Sequence, residues 1–301
     1  MSHDSPDAPR IERDEPLSKH TSVRVGGPAD YFTVAKDSAE LERAVRWAAA
    51  EGRPYLVLGS GSNVVVGDGG FRGLVVKSIS RGVRVLEGDA EYPIAELESG
   101  TFLPTAARRL AQQGLAGLEW GVGIPGTAGG AVVGNAGAYG GVTDETLVEI
   151  DGLDSAGRAV QIGSAELGFV YRSSTIKRGE LDVAVVLRVR HRLRRDSPDA
   201  IMARVKGFLG ERKAKQPVEP SVGSTFKNPD GEFAGGIIER CGLKGATVGG
   251  AMVSPRHANY IINTGAATAC DVADLIEHVR TTVREATGVE LETEIEFKGE
   301  W

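Results

Sequence analysis

Apolar residues recur at helical spacing in four stretches of the chain. In "DSAELERAVRWAAAEGRP" (37–54), Leu41, Ala44, Val45 and Ala48 share one face. Asp37 or Ser38 can cap that helix, and Gly52 with Pro54 ends it. "TFLPTAARRLAQQG" (101–114) predicts a shorter helix, with Pro104 in its first turn and Gly114 at its end. "SPDAIMARVKGFLGERKAKQP" (197–217) offers Ser197 as cap and a stripe of Ile201, Val205, Phe208 and Leu209. "CDVADLIEHVRTTVREATG" (270–288) is the clearest amphipathic segment, with Val272, Leu275, Ile276, Val279 and Val283 on one side. Between these, "YLVLG" (55–59) reads as a buried strand and "VVVGDGGFRGLVVK" (64–77) as strand, turn, strand. "AVQIGSAELGFVYRSS" (159–174) and "LDVAVVLRVRHRL" (181–193) read as strands around a polar loop. In the closing "ELETEIEF", Leu291, Ile295 and Phe297 fall on one face and Glu292, Glu294 and Glu296 on the other. The pattern contains no internal repeat. It predicts an α+β chain with mixed sheets and three subdomains, the second starting near Gly82 and the third at Ser197.

Charge and cysteine content narrow the function classes. Residues 1–15 are polar and acidic, lack the apolar core of a secretory signal, and read as a disordered tail. No apolar run approaches the ~18 residues of a membrane helix. The net charge of -6 counts against non-specific nucleic-acid binding. The one basic cluster, "RVRHRLRRD" (188–196), alternates and reads as a solvated edge strand. Cys241 and Cys270 are far apart and no CxxC occurs, which predicts no metal site, no disulfide framework and a reduced cytoplasmic setting.

Glycine changes the picture most. The chain has 41 glycines in 301 residues, about twice the usual ~7%, clustered at 59–73, 114–141 and 223–250. Three such clusters suggest three walls of a ligand site. "GVGIPG" (121–126) matches the dinucleotide pattern GxGxxG, but Pro125 lies inside it and "TAGGAVVGNAGAYGG" follows, too glycine-rich for a long Rossmann helix. Gly59–Asn63 follows a strand and precedes a β-branched run, so it predicts a strand–turn–strand whose N–H groups and hydroxyls hold a diphosphate. "PSVGSTFKNPDG" (220–231) is turn-like by composition, yet gathers Ser224, Lys227 and Asn228.

Seven motifs occur in order: "TSVRVGGPADYF" (21–32), "VLGSGSNVVV" (57–66), "GIPGTAGGAVVGNAGAYGG" (123–141), "YRSS" (171–174), "GSTFKNP" (223–229), "GLKGATVGGAMVSPRHANYIIN" (242–263) and "LETEIEF" (291–297). The set resembles UDP-N-acetylenolpyruvoylglucosamine reductase in its compact subclass, from about Pro16 onward. Val132 and Val133 before "GNAGAYG", and Ile176 after "YRSS", depart from the family pattern conservatively. The resemblance implies a two-part FAD-binding domain of PCMH/VAO-like architecture (16–81 and 82–196), followed by a smaller α+β substrate domain (197–301).

It also implies a reaction in peptidoglycan precursor synthesis. NADPH gives hydride to non-covalent FAD, which reduces the enolpyruvyl ether of a UDP-sugar; C2 then takes a proton. Ser224 matches the family's proton donor, Arg172 the arginine that grips the enolpyruvyl carboxylate, and Glu294 the catalytic glutamate. Gly59, Ser60, Gly61, Ser62, Asn63, Ile124, Pro125, Gly126, Thr127, Gly130 and Ala131 are the implied flavin-binding positions. Tyr171, Lys227, Asn228, His257 and Asn259 are the implied substrate positions, although a structural role for His257 is equally compatible with its type. The expected partners are the UDP-sugar and NADPH, without nucleic acid or membrane, and the expected state is a monomer. Two other readings are a flavin oxidase of the same architecture, which would not be expected to carry "GSTFKNP" or "LETEIEF", and a non-catalytic binder, which would lose the acid.

Overall fold

A computed structural model describes residues 9–86 and 89–301. Residues 1–8 of the expected tail lie outside that range. The chain forms two compact units, interleaved in sequence. The first comprises residues 9–12, Phe32–Ser60 and Gly73–Arg212; the second comprises Arg13–Tyr31, Gly61–Arg72 and Lys213–Trp301. These boundaries do not coincide with the contiguous 16–81, 82–196 and 197–301 division.

The first unit is built on a five-stranded antiparallel sheet. Its order is Ala159–Gly163, Leu147–Leu153, Val185–Arg192, Ile94–Glu98, Val83–Val85. Val185–Arg192 is therefore central, which corrects the expectation of a solvated edge. The neighbouring strands supply the acids that make this possible. Arg190 pairs with Glu96 at 2.9 Å, Glu149 at 2.6 Å and Asp151 at 2.6 Å. Burial works against the Glu96 carboxylate, but hydrogen bonds from Arg84 and Arg190 hold its pKa below the usual range. On the same strand His191 is buried, with Nδ1 2.9 Å from the Thr146 hydroxyl, and burial pulls its pKa down to about 4.

Helices cover this sheet as their apolar spacing predicts. Helix α1 (Ser38–Ala50) starts where the Asp37 carboxylate accepts from the Glu40 N–H at 2.8 Å. Helix α2 (Leu103–Gln112) and the short α3 (Ala128–Val133) bury Leu103, Leu110, Ala131 and Val132 in one core with Leu97, Ile150 and Val189. Helix α4 (Pro198–Lys215) packs Ile201 and Val205 on Ala107, Ala111 and Val122. Its stripe thus completes the first unit instead of opening a new domain at Ser197. Tyr55–Leu58 pairs in parallel with Leu74–Lys77; of its residues only Leu58 is fully buried. "AVQIGSAELGFVYRSS" is strand only to Gly163. A 3-10 turn at Ser164–Leu167 and left-handed Gly168 (φ +44°) break the pairing, so Arg172 lies in a turn.

The second unit has a four-stranded antiparallel sheet ordered Ser221–Ser224, Tyr260–Asn263, Ala251–Val253, Thr247–Val248. Helix α5 (Ala234–Arg240), which the sequence pattern did not indicate, and α6 (Ala269–Thr287) bury Ile237, Ile238, Leu275, Ile276 and Val279 against Val222, Phe226 and Ile261. Val64–Val66 pairs in parallel with Glu296–Lys298. The run read as strand–turn–strand at 55–66 therefore places its two strands in different sheets. Asp68 fixes this excursion by accepting from the N–H groups of Ala269 at 2.9 Å and Cys270 at 3.0 Å, at the start of α6.

Both ends of the chain differ from expectation. Glu12–Pro16 is a strand, so the expected tail to residue 15 is too long. Next to it, Leu17 and Ser18 donate to the carbonyls of Gly27 (3.0 Å) and Gly26 (3.2 Å), a tether that polar composition does not reveal. At the C-terminus only Glu296–Lys298 is strand, with a bend at Glu294–Ile295. Leu291 and Ile295 are buried, but Phe297 is partly exposed and packs edge-on against Trp301 at 5.2 Å.

Candidate active site

Backbone pairing shapes the Ser224 loop. The strand Ser221–Ser224 ends just after Gly223, whose φ of +76° favours glycine. Beyond it the chain runs antiparallel to the C-terminal segment. Glu294 N–H donates to Thr225 O at 2.9 Å, and Lys227 N–H donates to Glu292 O at 2.9 Å. Asn259 clamps the same loop from below: Phe226 N–H donates to its Oδ1 at 2.9 Å and its Nδ2 donates to Phe226 O at 2.8 Å. Asn259, one of the expected substrate positions, is buried, with both ends of its amide engaged by Phe226. It positions the loop that carries Ser224.

Other candidate residues of this unit divide in the same way. Lys227 Nζ pairs with exposed Glu292 at 2.6 Å. Exposed Asn228 accepts from the Ala234 N–H at 3.1 Å through Oδ1 and so anchors the start of α5. His257 Nδ1 accepts from the Asn259 N–H at 3.2 Å, its ring meets Tyr260 edge-on at 4.8 Å, and burial lowers its pKa. Asn63, one of the expected flavin-binding positions, also braces the C-terminal segment: Nδ2 donates to Glu294 O at 3.2 Å, and its carbonyl accepts from Glu296 N–H at 2.9 Å. Gly61 is left-handed (φ +66°), and a Cβ there would overlap the His20 carbonyl oxygen. Ser62 is half-buried. Ser224, Lys227, Glu294 and Asn63 thus come together within one unit.

The first unit holds a cavity of about 180 Å³ lined by Gly59, Ser60, Lys77, Ser78, Ile79, Ser80, Arg81, Gly100, Phe102 and Thr127. Two of the glycine-rich loops meet here, since a Cβ on Gly59 would lie 2.5 Å from Thr127 Oγ1. Thr127 caps α3 by accepting from the Gly130 N–H at 3.4 Å. Gly126 O accepts from the Leu103 N–H at 3.0 Å, and buried Ala131 offers its carbonyl to Thr143 at 3.2 Å. Ile124 and Pro125 form the half-buried approach to α3. Helix α3 has six residues, so this is no Rossmann turn. Sequence reasoning missed Lys77, Ser78, Ser80, Arg81 and Phe102; the only signal was a polar "KSISR" run closing an apolar strand. Two cations, several hydroxyls and glycines without side chains suit a dinucleotide diphosphate. The buried Ser78 hydroxyl, which has no hydrogen-bond partner among the described residues, supports that fit.

Arg172 lies in the same unit as this cavity. It has φ +56°, a conformation uncommon for a non-glycine residue. The turn is locked by Val170 and Ser173, each donating its N–H to the other's carbonyl at 3.1 Å. Arg172 Nη2 donates to Gly137 O at 2.9 Å, and its guanidinium lies 5.3 Å from the ring of exposed Tyr171. Ser174 Oγ donates to Val133 O at 2.7 Å and Asn135 Nδ2 to Val170 O at 3.1 Å, so the "YRSS" turn is knitted to the second glycine-rich stretch.

These features define a flavin-dependent oxidoreductase. An FAD-binding domain family matches residues 29–163, and the C-terminal domain of UDP-N-acetylenolpyruvoylglucosamine reductase matches residues 215–298. The reductase of that name from Chloroflexus aggregans is 45% identical over 288 residues, covering 95% of this chain and 96% of the relative. The one from Rubrobacter xylanophilus is 44% identical over 292 residues, covering 97% and 96%. The crystal structure of the Thermus caldophilus reductase is similar with a TM-score of 0.79 and 36% identity, covering 96% of this chain and 99% of that one. The chain belongs to the UDP-N-acetylenolpyruvoylglucosamine reductase family.

Proposed function

We infer that Ser224, Glu294 and Arg172 carry the family reaction in this protein. That reaction is the NADPH-dependent reduction of UDP-N-acetylglucosamine enolpyruvate to UDP-N-acetylmuramate, a step of peptidoglycan precursor synthesis. When bound, FAD supplies the hydride carrier between NADPH and the enolpyruvyl double bond. The chain's own residues handle the proton and the charge. The Ser224 hydroxyl gives a proton to C2 of the enolpyruvyl group, where negative charge develops. The Glu294 carboxyl, on the segment paired with the Ser224 loop, assists that transfer. The Arg172 guanidinium, a planar fork, binds the carboxylate next to C2. Tyr171, Lys227 and Asn228 contact the UDP-sugar.

The observation that supports this reading is the pairing of the two acid–base candidates. Ser224 and Glu294 are distant in sequence, yet the Glu294 N–H is bonded to the carbonyl of the residue after Ser224. A pair of oxygen acids set by main-chain hydrogen bonds suits proton delivery at one point. Gly59, Ser60 and the 124–131 stretch hold the flavin diphosphate. Among the described residues no helix is long and apolar enough to cross a membrane. We place the protein in the bacterial cytoplasm, where its nucleotide substrates are found, and propose that it acts as a monomer.

Half-reactions test the roles. In Ser224→Ala, NADPH should still bleach the flavin at close to the normal rate, since no carbon is protonated in that step. Reoxidation by the enolpyruvyl substrate should slow by at least ~10²-fold. Equal slowing of both half-reactions in stopped flow would make Ser224 a structural residue.

A further inference from the structure

Tyr139 and Gly140 form the two-residue turn of a hairpin in which Gly137 and Ala138 pair with Val142 and Gly141. Both turn residues have positive φ, +52° and +82°, the handedness that a two-residue hairpin turn needs. Glycine adopts it freely, whereas a tyrosine there is strained. The tyrosine ring supplies the compensation. It stacks on Phe208 of α4 with centroids 4.6 Å apart and planes within 8°. It also lies against Gly123, where a Cβ would collide with it. Arg212, one turn beyond Phe208 on the same face of α4, donates to the Gly123 carbonyl. On the second strand of the hairpin, buried Trp120 lies against Gly141, where a Cβ would collide with the indole. The indole N–H donates to Gly117 O at 2.9 Å, which fixes that ring in turn. The hairpin is thus held at its turn and at its second strand, by residues that all belong to the first unit.

The first strand of the hairpin meets Arg172. Gly137 O accepts from Arg172 Nη2 at 2.9 Å, and Asn135, two residues earlier, donates to Val170 O at 3.1 Å at the start of the Arg172 turn. A guanidinium is a rigid planar fork, so a bond to one nitrogen constrains the direction of the others. We propose that the Tyr139–Phe208 stack is a positioning device: it fixes the Gly137–Val142 hairpin, and the hairpin aims the Arg172 guanidinium at the substrate carboxylate. Tyr139 and Phe208 thereby favour a carboxylate-bearing nucleotide sugar over the same sugar without the carboxylate. The proposal rests on the carboxylate-binding reading of Arg172 above and deepens it by adding two residues that act through that arginine.

Binding to the oxidised full-length holoenzyme, read from the flavin spectrum, tests this with two ligands: UDP-N-acetylglucosamine enolpyruvate, and UDP-N-acetylglucosamine, which lacks the carboxylate. Tyr139→Gly suits the positive φ and removes the ring, so the turn still forms. Phe208→Leu keeps an apolar side chain in the core and removes the stack. Each should raise the Kd of the enolpyruvyl ligand about tenfold, the scale of one charge-assisted hydrogen bond, and leave that of UDP-N-acetylglucosamine unchanged. Tyr139→Phe, which keeps the ring, should match the wild type. With Arg172→Ala present, adding Tyr139→Gly should change neither Kd further, since the two act through one contact. Equal weakening of both ligands in Tyr139→Gly and Phe208→Leu overturns the proposal, as a general loss of structure. A wild-type ratio of the two Kd values in both variants, with the ratio lost in Arg172→Ala, also overturns it. Weakening in Tyr139→Phe overturns it in favour of the hydroxyl. A wild-type ratio in Arg172→Ala itself overturns the carboxylate reading of that arginine.

Discussion

Glu294 donates its N–H to the carbonyl of Thr225 at 2.9 Å, which pairs the catalytic glutamate candidate with the residue next to Ser224. The same glutamate offers its carbonyl to the Asn63 amide at 3.2 Å. It is therefore held from two sides, at the point where the C-terminal segment leaves one pairing partner and joins another.

Three glutamates alternate along this segment, and their surroundings separate them. Glu292 is exposed and paired with Lys227, and Glu296 is paired with Lys298 at 2.8 Å. Glu294→Gln should cut turnover by at least ~10²-fold, the scale of a positioned acid–base group. Glu292→Gln and Glu296→Gln should change turnover little, and surface substitutions of this kind shift stability by about 0.5 kcal/mol or less. Steady-state rates of the three variants decide it. Comparable losses at all three would point to a collective field, and a fully active Glu294→Gln would remove the assignment.

Asn259 should matter through the loop it holds. Asn259→Ala leaves the buried N–H and C=O of Phe226 without their partner, at a cost of roughly 2–4 kcal/mol. Asn259→Asp keeps the acceptor and loses the donor, so it should fall between. Turnover should decline with kcat more affected than KM, because Ser224 is displaced rather than the substrate released. Urea unfolding and steady-state kinetics measure the two effects. A stable Asn259→Ala with a raised KM alone would return Asn259 to the substrate.

His191 predicts an acid-sensitive fold. Its folded pKa of about 4 lies below the ordinary 6.5, because burial disfavours the cation. Between those values the unfolded chain binds the proton that the folded chain refuses. Stability contributed by neutral His191 is therefore full above pH 6.5 and is lost as pH falls toward 4. His191→Asn should flatten this part of the profile. Thermal melts of both proteins at pH 7.5 and pH 5 provide the comparison, and equal losses in both would show that other groups govern acid unfolding.

Sequence alone determined much of this protein, because the relevant forces there are local. The faces of α1, α2 and α6 follow from 3.6-residue spacing, and Asp37 and the glycine after α6 mark helix ends by their own backbone preferences. The motif order from Thr21 to Phe297 was enough to indicate the family and to single out Ser224, Arg172 and Glu294. Tertiary structure decided what depends on partners distant in the chain. It placed Val185–Arg192 in the middle of a sheet, since the acids that neutralise Arg190 come from two other strands. It gave the amides of Asn63 and Asn259 main-chain partners 231 and 33 residues away. It joined Lys77 and Ser78 to Gly59 and Thr127 around one cavity, a meeting that no local pattern encodes. Hydrogen-bond and charge satisfaction in a folded interior are set by neighbours in space, and periodicity along a chain carries no record of them.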